Sequence, residues 1–200
     1  MASDLLTNHL NKHKNGWSLS LTDIGTSIQI PEKLALLIQP MLEWEDNRSD
    51  EKTADTLRRI NCHKVILYLI GQISYDDFIF DPRPEKGIDF TYEKKAAEIS
   101  AKKFTQIKDE SELRQLAMSE CQANKIYIGQ IFNETLGHSF IIGRTEEDKF
   151  ICFDKAGFAE NPLKDNKDFK FRVYEIGMLI GSSNYQNAWW RFISIDEITA

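Results

Sequence analysis

Two hundred residues with 25 basic and 31 acidic side chains carry a formal charge of −6 and a pI near 5.3. That length suits one domain with an extension, and such a chain buries roughly 70% of its unfolded surface in a single core. An acidic balance argues against nucleic acid as partner, because phosphate binding needs a basic face. The longest apolar run, Val65 to Ile70, falls far short of the ~18 residues of a membrane span. Residues Met1 to Lys14 lack the apolar segment of a Sec signal. Three cysteines, an odd number with wide spacing, make no disulfide framework, and point to a soluble protein of a reducing compartment.

In chain order, Asp4 to His13 places Leu5, Leu6, His9, Leu10 and His13 at helical spacing. His9 and His13 have the i, i+4 spacing of zinc ligands, but no Glu-x-x-His or Cys accompanies them, so they read as a helix face and no metal is expected. Pro31 opens a second helix with Leu34, Leu37, Ile38, Met41 and Leu42 as its stripe, and Pro40 as a bend. The charged stretch Asp46 to Thr53 marks a boundary between a helical extension, 1–56, and a core domain, 57–200. Asn61 is a good N-cap, Cys62 to Ile70 a buried helix and Gly71 its stop. Tyr75 to Phe80 is expected as a short strand, Asp81 to Gly87 as a loop, and Tyr92 to Lys103 and Ser111 to Cys121 as helices. Then the period changes. Lys125–Phe132, His138–Gly143, Lys149–Asp154, Phe169–Ile176 and Ala188–Ile195 are aromatic and β-branched runs separated mostly by short polar turns. Helices followed by consecutive strands mean an α+β fold with an antiparallel sheet, across which the Asn61 helix lies.

One constellation can carry chemistry. Arg144 to Asp148 is a turn between two strands, and a register pairing Ile142 with Phe150 sets His138 opposite Asp154. Their separation is even, so both side chains point to one face. A carboxylate there can take the imidazole N–H, fix the tautomer and support a positive ring. Cys62, at the start of an apolar helix, has unpaired N–H groups and the helix dipole to favour a thiolate, and its own N–H to serve an oxyanion. Cysteine, histidine and aspartate then form a relay for nucleophilic catalysis.

Cys152 shares a strand face with Asp154 and is a rival nucleophile, but it sits mid-strand with no helix start nearby and reads as core. Cys121 reads as structural. His63 points some 100° around the helix from Cys62. Asp76–Asp77 and Glu146–Asp148 read as solvated turns. One of Trp189 and Trp190 faces away from the core and could line a groove. Gln72 and Gln130 could donate to an oxyanion, but neither lies upstream of Cys62. No glycine pattern cradles phosphate.

The segments Gly137-His138-Ser139-Phe140 and Phe150-Ile-Cys-Phe-Asp154-Lys-Ala-Gly157-Phe158 resemble those of the papain-like superfamily in its broad sense. They are similar to the Gly-His and Phe-Asp-Pro segments of transglutaminase-like domains and of YopT-type cysteine proteases. Asp154 is followed by Lys155 rather than Pro, and the residues around Cys62 lack the aromatic that commonly follows the cysteine. The resemblance implies a papain-like core with a Cys62–His138–Asp154 triad and no cofactor. It implies acyl transfer or hydrolysis at an amide or isopeptide bond of a protein or peptide: protease, deamidase or transglutaminase-like. Two other readings stand beside it. One is a non-catalytic papain-like module that binds a protein partner. The other is the same enzyme exported without a Sec signal as a bacterial effector in a host cytosol.

Overall fold

In a computed structural model the described residues are 30–47, 60–80, 103–134, 137–156, 170–181, 185 and 187–196. The expected helix at Asp4–His13, the Asp81–Gly87 loop and all of Tyr92–Lys103 except Lys103 lie outside them, as does most of the charged stretch.

The elements are α1 (Glu32–Asn47), α2 (Cys62–Leu69), α3 (Tyr75–Phe80), β1 (Thr105–Ile107), α4 (Glu110–Glu120), β2 (Ile126–Phe132), β3 (Gly137–Arg144), β4 (Phe150–Ala156), β5 (Lys170–Glu175), α5 (Gly177–Gly181) and β6 (Ala188–Ser194). The strands form one six-stranded sheet in the order β1-β6-β2-β3-β4-β5, with antiparallel neighbours throughout. This is the mixed helix and antiparallel sheet expected from the change of hydrophobic period.

Alternation along the strands buries both faces. On one face Ile128, Ile141, Phe153, Val173 and Ile193 join Leu34, Ile38 and Met41 of α1, Val65 and Ile66 of α2 and Phe78 of α3 in one cluster. On the other, Tyr127, Phe140, Ile142, Cys152, Tyr174, Trp190 and Phe192 pack with Leu113 and Ala117 of α4 and Leu179 and Ile180 of α5. Helix α1 is thus part of the core packing, and it includes Pro40. At Gly129 a Cβ would lie 2.1 Å from the ring of Phe140. Only glycine lets that ring lie flat on β2.

Two local expectations are corrected. Tyr75–Phe80 is a helix, not a strand. Ser74 and Asp77 explain it: the Asp77 carboxylate accepts the Ser74 N–H at 3.0 Å, and the Ser74 hydroxyl accepts the Asp77 N–H at 3.1 Å. This reciprocal capping box starts a helix. The β3–β4 register is also two residues from the one expected. Ile142 pairs with Cys152 and Arg144 with Phe150, because the turn is longer: Thr145 N–H donates to the Lys149 carbonyl, with Asp148 at φ +60° inside. A slip of two keeps every side chain on its expected face.

Candidate functional site

The β3–β4 ladder runs from Arg144–Phe150 to Ile141–Phe153 and stops there. The site lies beyond its last pair, on the first residues of β3 and the last of β4. His138 and Asp154 are not directly opposed as the expected register had them, but diagonal neighbours on one face. Their side chains still meet: His138 Nε2 lies 2.7 Å from Asp154 Oδ2. The other ring nitrogen, Nδ1, is left for the thiol of Cys62, with which the imidazole also hydrogen-bonds.

Cys62 gets there because α2 begins at it. Asn61 is extended (φ −116°, ψ 173°), and its side chain accepts the Lys64 N–H at 2.8 Å. That cap turns the chain into a helix whose first residue is the cysteine, while His63 to Leu67 are buried beneath it. The first-turn N–H groups have no acceptor inside the helix. Cys62 is partly exposed, whereas Cys121 and Cys152 are buried.

The electrostatics favour an ion pair. Burial alone would raise the Cys62 pKa, but the hydrogen bond and charge of His138, with an N–H from Ser139, hold it below the ordinary thiol value. Burial alone would lower His138. The hydrogen bonds to Asp154 and Cys62 outweigh it and push the imidazole up to about 10. Asp154 is 2% exposed. Burial would raise its pKa, yet His138 and Arg172 keep it well below the usual carboxylate range.

Sequence reasoning missed the groups that hold Asp154. Arg172 on β5 donates from Nε to Oδ1 at 2.8 Å and from Nη2 to Oδ2 at 2.6 Å, and the Tyr174 hydroxyl donates to Oδ2 at 2.7 Å. Their even spacing on a strand next to Asp154 was a signal, but one usable only with the β4–β5 pairing known (Asp154 pairs with Arg172). Tyr185 was missed too. Its ring stacks on His138 with centroids 6.2 Å apart, and Phe140 stacks at the same distance. Burial, then the nearby Cys62 charge, push the Tyr185 phenol up to about 12.

The rival thiol is a different environment. Cys152 is buried on β4, and burial followed by the Asp154 charge raises its pKa well above the ordinary value. Trp190 is buried and Trp189 is 40% exposed, so one tryptophan does face outward. Among the described residues no cluster of His, Cys, Asp and Glu could hold a metal ion, and no helix is long and apolar enough to cross a membrane. His9 and His13 lie outside the described residues.

Beside His138 a cavity of about 260 Å³ is lined by His63, Gln130, Phe132, Ser139 and Arg191 among others. Gln72 does not line it; Gln130 does.

A scan against protein-family models, a search of curated proteins and a search of solved structures each found no match. The geometry is therefore the ground for a functional reading.

Proposed function

We propose that the protein is a thiol-dependent acyltransferase or hydrolase acting at an amide or isopeptide bond of a protein or peptide, with a papain-like relay of Cys62, His138 and Asp154. One observation carries the reading: a single imidazole stands between a thiol at a helix start and a buried, ionised carboxylate, bonded to both. The resemblance of the Gly137-His138 and Phe153-Asp154 segments to papain-like and transglutaminase-like proteins supports it independently.

The chemistry follows from the protonation states. The Cys62 thiolate attacks the carbonyl carbon, and the C–S bond forms as the carbonyl oxygen takes the electron pair. In this reading the Cys62 backbone N–H, unused inside the helix, donates to that oxygen. The C–N bond then breaks, and the departing amine takes the proton from His138 Nδ1. A thioester remains. Water or an amine, losing a proton to His138, attacks it and releases the thiolate. Asp154 keeps the ring oriented and stabilises its positive form without taking the proton. Water as acceptor gives hydrolysis or deamidation, and an amine gives cross-linking.

The test is the pH dependence of iodoacetamide labelling at Cys62, mapped by mass spectrometry. The expected midpoint lies below the free-thiol value of about 8.5 and rises in His138→Ala. A midpoint at or above that value, unmoved by the substitution, overturns the proposal and leaves a binding module as the better reading.

A further inference from the structure

The cavity beside His138 has a floor that is chemically distinct from its walls. Ser139, Gln130 and Arg191 are cross-strand neighbours on β3, β2 and β6: Gln130 pairs with Ser139 on one side and with Arg191 on the other. Alternation places all three on the α2 face of the sheet, beside the helix start that carries Cys62. The Ser139 backbone is among the groups that favour the Cys62 thiolate, so this row begins beside the reactive residue. Ser139 is 1% exposed, and among the described residues its hydroxyl has no hydrogen-bond partner. A buried hydroxyl that lines a cavity without a partner is placed to receive one from a ligand.

The rest of the floor is fixed by its own contacts. Arg191 Nε donates to Gln130 Oε1 at 2.7 Å, which sets the carboxamide so that its NH2 group is directed away from Arg191. The guanidinium lies over the Phe104 ring, 4.3 Å from its centroid. Phe104 packs edge-on against Phe132 at 4.6 Å, and Phe132 stacks on Trp189. An aromatic wall thus holds a cation at the side of the cavity. Among the described lining residues the ionisable groups are Arg191, His138 and His63, with no carboxylate. Asp154 is on the other face and tied to Arg172 and Tyr174.

From this we infer that the cavity is a specificity subsite for an acidic side chain flanking the scissile amide of the substrate. Hydroxyl, carboxamide and guanidinium donors converge on a carboxylate, and the aromatic wall takes the methylenes that carry it. The inference rests on Cys62 being the nucleophile, and its test is built so that the two fail separately.

The probes are chloroacetyl-Glu-amide and chloroacetyl-Gln-amide, equal in shape and differing in charge. Each alkylates Cys62, with the rate followed by mass spectrometry. The glutamate probe is expected to react about tenfold faster, the order of one charge-assisted contact. The ratio falls toward one in Arg191→Met, is kept in Arg191→Lys, and shrinks as salt rises. A ratio near one in the native chain, or a ratio unchanged by Arg191→Met, overturns the subsite. Failure of the catalytic reading looks different: both probes then react at the rate of an ordinary thiol, and that rate is unmoved by His138→Ala.

Discussion

Two thiols stand within reach of the same carboxylate and have opposite fates. Cys152 and Asp154 share the face of β4 that is turned toward α4 and α5, two residues apart, and the Asp154 charge raises a thiol that burial has already raised. Cys62 feels that same charge in the same direction. What separates them is the imidazole between Cys62 and Asp154, together with the Ser139 N–H at the sulfur. Proximity to an aspartate makes no nucleophile. A cation placed between the two does, and only a helix entering at the open end of the β3–β4 pair brings a sulfur to the far side of that ring.

The widest gap between the two thiols is expected in their alanine variants. Cys62→Ala should remove turnover and the low-pH alkylation altogether, a loss of 10³-fold or more. Cys152→Ala should leave both in place while costing about 1–2 kcal/mol of stability, the order for trimming a buried side chain. Retained alkylation in Cys62→Ala, or its loss in a folded Cys152→Ala, would reverse the assignment. Denaturant unfolding of both variants separates loss of site from loss of fold.

A narrower gap is expected when the shared carboxylate loses its charge. Asp154→Asn removes the strongest support of the His138 imidazolium and leaves Arg172 facing a neutral amide. The His138 pKa should drop from about 10, and alkylation of Cys62 near pH 7 should slow by about 10–100-fold. Cys152 should move the other way, its thiol becoming easier to ionise once the charge is gone. An NMR titration of His138 in the variant checks the first shift. An unmoved imidazole would mean that Asp154 only ties β4 to β5.

How much of this could be read from residues alone follows from the range of each interaction. The Asn61 cap, the start of α2 and the face shared by His138 and Asp154 depend on spacings of three or two residues, and these were legible. The register was not, because it depends on how a five-residue turn folds around Asp148. Ser74-x-x-Asp77 was a readable helix signal that the apolar run after it masked. Arg172, Tyr174 and Tyr185 are distant in sequence from the residues they touch, and no local pattern pairs them. The Ser139–Gln130–Arg191 row needs strands that are neighbours in space but distant in sequence, since β6 lies between β1 and β2. The site's two ends were legible, and what tunes them was not.

The smallest effect is in stability against pH, and it bears most directly on the difference between the thiols. His138 has a folded pKa of about 10 against an ordinary 6.5. Its contribution is fully present below 6.5 and is lost as pH rises toward 10. Cys62 has a folded pKa below its ordinary 9.0, so its contribution is present above that value and is lost as pH falls. From the lowered Cys62 value up to 9.0, at pH above 6.5, the two slopes oppose each other: the folded pair holds one proton on the imidazole, and the unfolded pair holds one on the sulfur. Stability should be level across that window and fall from 9.0 toward 10. Cys152 works in the other sense, since a raised thiol loses stability to the unfolded state once pH passes 9.0. Urea unfolding from pH 5 to 10 reads the profile. The Cys152→Ala chain should keep the level window and lose part of the alkaline fall, whereas Cys62→Ala should tilt the window downward with rising pH, because the unfolded His138 has given up a proton that the folded one keeps, with no thiol to compensate. A native profile that slopes through the window would mean that thiol and imidazole do not titrate as a pair.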